Sequence, residues 1–151
     1  MPRLPKKVMS PTKIDPIRSR TMRAVKSFNT KPELMVRQYL WKNNLRYRIN
    51  VKDLPGKPDI VFNNRKLIIF IHGCFWHGHE GCPKFRMPRT RADWWKAKIE
   101  RNTQRDKRSE ENLTDAGWTV MTVWECQLKD ASTLPNLINR IRAIPPRKPR
   151  Q

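Results

Sequence analysis

Acidic side chains are scarce: 13 Asp and Glu stand against 33 Lys and Arg in 151 residues, leaving a formal net charge of +20. On a chain this small, such an imbalance points to a polyanionic partner, and nucleic acid is the commonest one. Long apolar runs are missing too. No stretch approaches the roughly 20 residues that a bilayer-spanning helix needs, and MPRLPKKVMSPTK at the start has no apolar middle of the secretory kind. A cytoplasmic place without membrane attachment is expected. Cysteine is rare and odd in number, 3 in all, which in that compartment argues against a disulfide framework and for metal ligation or a buried thiol. There is no internal repeat and no second core, so the 37% hydrophobic content serves one domain, expected as a monomer.

What is present falls into three parts. Residues 1–25 carry Arg3, Lys6, Lys7, Lys13, Arg18, Arg20 and Arg23 among four prolines, with Asp15 as the one acid. Without helical or strand period, they form a basic arm suited to DNA phosphates or a groove. Residues 26–143 make the folded domain, and residues 144–151 a basic, proline-rich tail. Within the domain, Thr30 and Glu33 fit a capping box with Pro32 in the first turn. The pairs Met35 with Tyr39 and Val36 with Leu40 then predict a helix ending near Asn43 or Asn44. Leu45, Tyr47, Ile49 and Val51 alternate with polar residues as a half-buried strand. After the Asp53–Pro58 turn come a short strand, Asp59–Phe62, a tight turn at Asn63-Asn64, and a central strand, Lys66–His72. A long polar helix from Ala92 to about Ala116, stopped by Gly117, a strand Trp118–Trp124 and a short helix around Leu134–Ile141 complete the order α-β-β-β-α-β-α, an α/β class.

The densest chemistry lies in FIHGCFWHGHEGC, Phe70 to Cys82, which holds all three histidines and two of the three cysteines. Asp59 begins the strand that should pair with the one ending at His72. A carboxylate beside His72 and His77 in a basic protein suits Mg²⁺-assisted attack on a phosphodiester. His77 is the candidate proton carrier near neutral pH. Glu33 either caps its helix or faces the strand ends. His79-x-x-Cys82 with Cys126 suits a structural Zn²⁺ whose fourth ligand is open between Cys74 and an acid, with Asp106 a candidate. Phe75 and Trp76 in the loop, and Trp94-Trp95 at the start of the basic helix, are rings that either cap the core or wedge into base steps, most cheaply at a mismatch. Trp41, Trp118 and Trp124 read as packing.

LPGKPDIVF, LIIFIHGCFWHGHEGC, RTRADWWKAKIERNTQRD and GWTVMTVWEC together resemble the very-short-patch mismatch-repair endonucleases of bacteria, over roughly Ser19 to Leu128. The resemblance implies a single-domain PD-(D/E)xK-like nuclease fold. It also implies nicking of one strand beside a T:G mismatch left by deamination of 5-methylcytosine, on double-stranded DNA, Mg²⁺-dependent and open to a mismatch-repair partner protein. By that resemblance, Asp59 binds the Mg²⁺, His77 is the catalytic histidine, and Glu33 and His72 support them. Likewise His79, Cys82, Asp106 and Cys126 hold the structural Zn²⁺, while Phe75, Trp76 and Trp95 intercalate. Met22 and Arg23 belong to the arm, and Lys98 and Asn102 on the long helix are counted among the DNA contacts. Where the general nuclease pattern has an acid and a lysine, Ile71 and His72 stand, so Ile71 would offer the metal its backbone carbonyl. Two other readings are a catalytically weak, zinc-stapled DNA-binding protein and a restriction-type nuclease that cuts matched DNA.

Overall fold

The computed structural model describes residues 29–148, so the expectations for the basic arm, Met22 and Arg23 lie outside the described residues. From Lys31 the described residues form one compact unit. Its elements are α1 (Lys31–Lys42), β1 (Ile60–Phe62), β2 (Leu67–His72), α2 (Ala92–Asp115), β3 (Thr119–Trp124) and α3 (Thr133–Arg142). Short 3-10 turns follow β1 at Asn63–Arg65 and β3 at Glu125–Lys129.

β2 is central because its residues can be buried on either face: LIIFI is apolar without interruption and buried throughout. β1 pairs with it antiparallel, Ile60 opposite Ile69, and β3 pairs with it parallel, from Leu67 opposite Thr119 to His72 opposite Trp124. A parallel neighbour needs a crossover, and α2 supplies it. Alternation along β2 then separates two cores. Leu67, Ile69 and Ile71 pack with Val36 and Leu40 of α1 and Leu137, Ile138 and Ile141 of α3. Ile68 and Phe70 pack with Val61 and with Leu113 of α2. His72 continues the second set, so its period places it on the α2 side.

Two sequence expectations are corrected here. The strand over Leu45–Val51 is reduced to an isolated bridge, in which Arg48 and Val61 exchange N–H···O bonds of 2.8 and 2.9 Å. Asn50 adopts φ 56°, which breaks the extended run, and Val51 turns to the second core while Leu45 and Tyr47 stay with the first. The observed order is therefore α-β-β-α-β-α, a mixed three-stranded sheet with three helices among the described residues. In α1 the buried stripe is Glu33, Val36, Arg37 and Leu40, and Met35 lies outside it at 46% exposure. The helix thus carries an ion pair into the protein on its apolar face. Arg65, in the turn after β1, donates to the carbonyls of Ile141 and Ile144 and so ties the end of α3 to the sheet.

Candidate active site and metal centre

The antiparallel register carries the start of β1 to the end of β2, and Asp59 meets the backbone there. The Ile71 N–H donates to Asp59 Oδ2 at 2.6 Å. Burial is the largest influence on this carboxyl and pushes it up to about 6; the Ile71 N–H and the charges of Arg37 and His77 oppose the rise, and Glu33 adds to it. Glu33 is itself buried, and Arg37 Nη2 donates to its Oε2 at 3.2 Å. The first turn of α1 therefore brings a carboxylate to the strand ends, whatever the residue does for the helix terminus.

His72 and His77 stack face to face, with centroids 3.8 Å apart and planes 2° apart. Burial, and then the neighbouring His77, push His72 down to about 4, so it is neutral near pH 7. His77 is held by α2 as well: its Nδ1 hydrogen-bonds Asp106 Oδ2. His72, His77 and Asp106 lie close enough to suggest a metal cage. Stacked rings, however, direct their in-plane lone pairs in parallel and not toward one point. The arrangement is that of a hydrogen-bonded relay, in which a carboxylate fixes the tautomer and orientation of a histidine.

The thiols converge elsewhere. Donor atoms of Cys74, His79, Cys82 and Cys126 all lie within 4.8 Å of one another, with Cys126 Sγ 3.5 Å from His79 Nδ1. This corrects the expected zinc set: Cys74 takes the fourth place, and Asp106 is engaged with His77. The loop's own turns explain it. His79 N–H bonds the Cys74 carbonyl at 2.9 Å, Cys82 N–H the His79 carbonyl at 3.3 Å, and Phe85 N–H the Cys82 carbonyl at 2.9 Å. Each turn folds the loop back on itself until Cys74, His79 and Cys82 share one side, and the 3-10 turn after β3 delivers Cys126. Burial pushes the Cys74 thiol up to about 12, whereas Cys82 is shifted down, its burial outweighed by backbone N–H groups of Lys84 and Phe85 and by the other thiols. Three sulfurs and one imidazole with backbone donors on a sulfur fit a closed structural Zn²⁺ site. Three thiols with one histidine was the signal available in the sequence, since soft donors suit zinc better than a distant carboxylate.

Phe75 and Trp76 leave this loop as a pair, 5.2 Å between centroids, and both meet Trp95 of α2, at 5.4 and 5.8 Å. Trp94 extends the cluster edge-on to Trp95 at 4.8 Å and is 42% exposed, with Arg91 and Lys98 over its ring. Asn102 Nδ2 donates to the Trp76 carbonyl at 3.1 Å, so one of the expected DNA contacts also holds the aromatic loop. Gly78 lets the loop approach α2: its φ is +61°, and a Cβ there would meet Ile99 Cγ2 at 2.9 Å. Gly78→Ala is therefore expected to cost roughly 1–3 kcal/mol through overpacking and left-handed strain. Urea unfolding checks this, and an unchanged midpoint would contradict it.

Comparison with known proteins fits this arrangement. A family profile described as "DNA mismatch endonuclease Vsr" matches residues 12–84. The type II nicking enzyme V.XorIIP of Xanthomonas oryzae pv. oryzae is 48% identical over 120 residues, covering 80% of this chain and 88% of that protein. The type II nicking enzyme V.NmeAIP of Neisseria meningitidis is 44% identical over 124 residues, covering 82% and 88%. The DNA mismatch endonuclease Vsr of Escherichia coli K12 is 40% identical over 117 residues, covering 78% and 74%.

Proposed function

We propose that this chain, which belongs to the Vsr DNA mismatch endonuclease family, nicks one strand of double-stranded DNA beside a T:G mismatch of the kind left by 5-methylcytosine deamination. The observation that carries the reading is the pairing of a desolvated Asp59 with a His77 braced by Asp106. Oxygen donors are what Asp59 and the Ile71 carbonyl would offer, and Mg²⁺ prefers oxygen. A buried carboxylate whose pKa burial has raised is one that a nearby dication would return to its ionised form. When bound, Mg²⁺ would polarise the scissile phosphate and neutralise its developing charge. With Nδ1 on Asp106, His77 keeps Nε2 as the base that takes a proton from the attacking water. His72, neutral and stacked on His77, orients that ring, and Glu33 adds negative charge at the metal side.

Phe75, Trp76 and Trp95 form the wedge in this reading, with Lys98 and Asn102 on the same helix supporting the DNA backbone. Wedging costs least where stacking is already weak, which favours a mismatch over a matched pair. The α/β arrangement supports a PD-(D/E)xK-like nuclease with His72 in the lysine's place. Residues 1–25 as a DNA-embracing arm, residues 144–151 as a tail and a cytoplasmic, nucleoid-bound location complete the proposal. No helix among the described residues is long and apolar enough to cross a membrane.

The test is comparative binding. A T:G duplex should be bound more tightly than its fully paired counterpart, and equal affinity would remove the wedge from the account. The carboxyl also sets a pH dependence. Mg²⁺ needs Asp59 ionised, and its pKa near 6 means protons compete below that pH. The apparent Mg²⁺ dissociation constant should rise about tenfold per pH unit below pH 6, measured by calorimetry on the DNA complex. A flat profile down to pH 4.5 would contradict Asp59 as ligand.

A further inference from the structure

Trp124 ends β3 and reads from sequence as a packing residue, yet its ring touches neither core cluster in the manner of Met121 and Val123, and it is only half-buried. Its neighbours are imidazoles. The ring lies flat on His79, with centroids 4.1 Å apart and planes 5° apart, and meets His72 edge-on at 5.2 Å and 73°. His72 in turn stacks on His77. Four rings thus run unbroken from the Cys/His cluster to the histidine held by Asp106.

The sheet makes this possible. The parallel register sets Trp124 opposite His72, and Cys126 of the zinc cluster follows two residues later. The Trp124 N–H donates to Gln127 Oε1 at 3.0 Å, which anchors the backbone at the point where the strand turns into the ligand segment. A metal-bound imidazole must hold its plane for its lone pair to reach the ion, and a reacting imidazole must hold its plane for its nitrogen to reach water. One indole faces both demands here.

We propose that Trp124 is a positioning residue that registers the zinc-held loop against the His72–His77 pair, so that metal in the cluster sets the orientation of the proton-handling ring. Leucine fills space without a flat face, whereas phenylalanine restores one. Trp124→Leu should lower kcat at least about tenfold, with KM and one bound zinc retained, and Trp124→Phe should recover most of the loss. The chain has three histidines, so their imidazole proton resonances can be assigned individually. Replacing Zn²⁺ by Cd²⁺ in the wild type should move His79, which would ligate the ion, and also His72 through the indole. In Trp124→Leu the His72 response should vanish.

The proposal rests on His77 being the proton-handling ring and His72 the ring that orients it, but the resonance measurement reads the coupling whether or not the chain nicks a T:G duplex. A wild type that fails to nick while His72 follows the metal would overturn the catalytic reading and keep the coupling. A His72 resonance indifferent to the metal in the wild type would overturn the coupling, even if Trp124→Leu did not fold. So would a Trp124→Leu protein with wild-type kcat, or one that loses its zinc along with its activity, since either leaves Trp124 with packing alone.

Discussion

Asp59→Ala is expected to bind a T:G duplex as the wild type does and to nick it about a thousandfold more slowly, or not at all. The direction follows from what the carboxylate does in the proposed site. It is a half-buried carboxylate at the strand ends that would ligate the metal, and the transition-state charge that a metal would stabilise there is worth several kcal/mol, each 1.4 kcal/mol being about tenfold in rate. Folding should survive the change. The Ile71 N–H loses its acceptor, a cost of about 1–3 kcal/mol, but the penalty of keeping an acid desolvated disappears with it. Asp59 belongs to neither the aromatic cluster nor the Cys/His cluster, so recognition should be untouched. Single-turnover nicking alongside equilibrium binding checks both halves. Nicking within tenfold of wild type would remove Asp59 from the chemistry.

The second large effect separates two residues that the sequence could not tell apart. Cys74→Ala should lose the zinc and unfold several kcal/mol more easily, a large share of the roughly 5–15 kcal/mol that holds a domain together. Asp106→Asn should keep one equivalent of zinc and its fold, yet lose about 10²–10⁴ in kcat. An asparagine presents a neutral group to His77 Nδ1 and can leave the ring in the wrong tautomer. Metal analysis and unfolding midpoints on both variants make the comparison. A zinc-free Asp106→Asn protein with a zinc-loaded Cys74→Ala partner would restore the carboxylate as a ligand and dissolve the relay.

The confusion over Asp106 has a physical origin. Ile99, Asn102, Asp106, Ser109 and Leu113 share one inward side of α2, but two groups that could engage the Asp106 carboxylate, a metal and a histidine, belong to one loop. Only the path of Cys74 to Cys82 decides between them, and that path depends on turns closed by backbone hydrogen bonds and by Gly78 against Ile99, none of which has a periodic signature. Where periodicity governs, the sequence was a good guide. The unbroken apolar run of β2 foretold a central strand, the Asp59 register foretold a meeting with the β2 end, and the long polar helix runs from Ala92 to Asp115 as expected. The alternation of Leu45 to Val51 misled because one asparagine with positive φ sends its two ends to different cores. Trp124 escaped notice because strand tryptophans usually pack, and only the placement of three imidazoles around it gives it another part.

The central claim is that Asp59, His77 and Asp106 cut a single strand at a mismatch. It is tested most directly by single-turnover cleavage, in Mg²⁺, of a T:G duplex and its fully paired counterpart, each labelled distinguishably on both strands. The account predicts one nick, on one strand of the T:G duplex, with the complementary strand and the paired duplex left whole. Cleavage of both strands of the paired duplex, or binding of the T:G duplex with no nick at all, would contradict it.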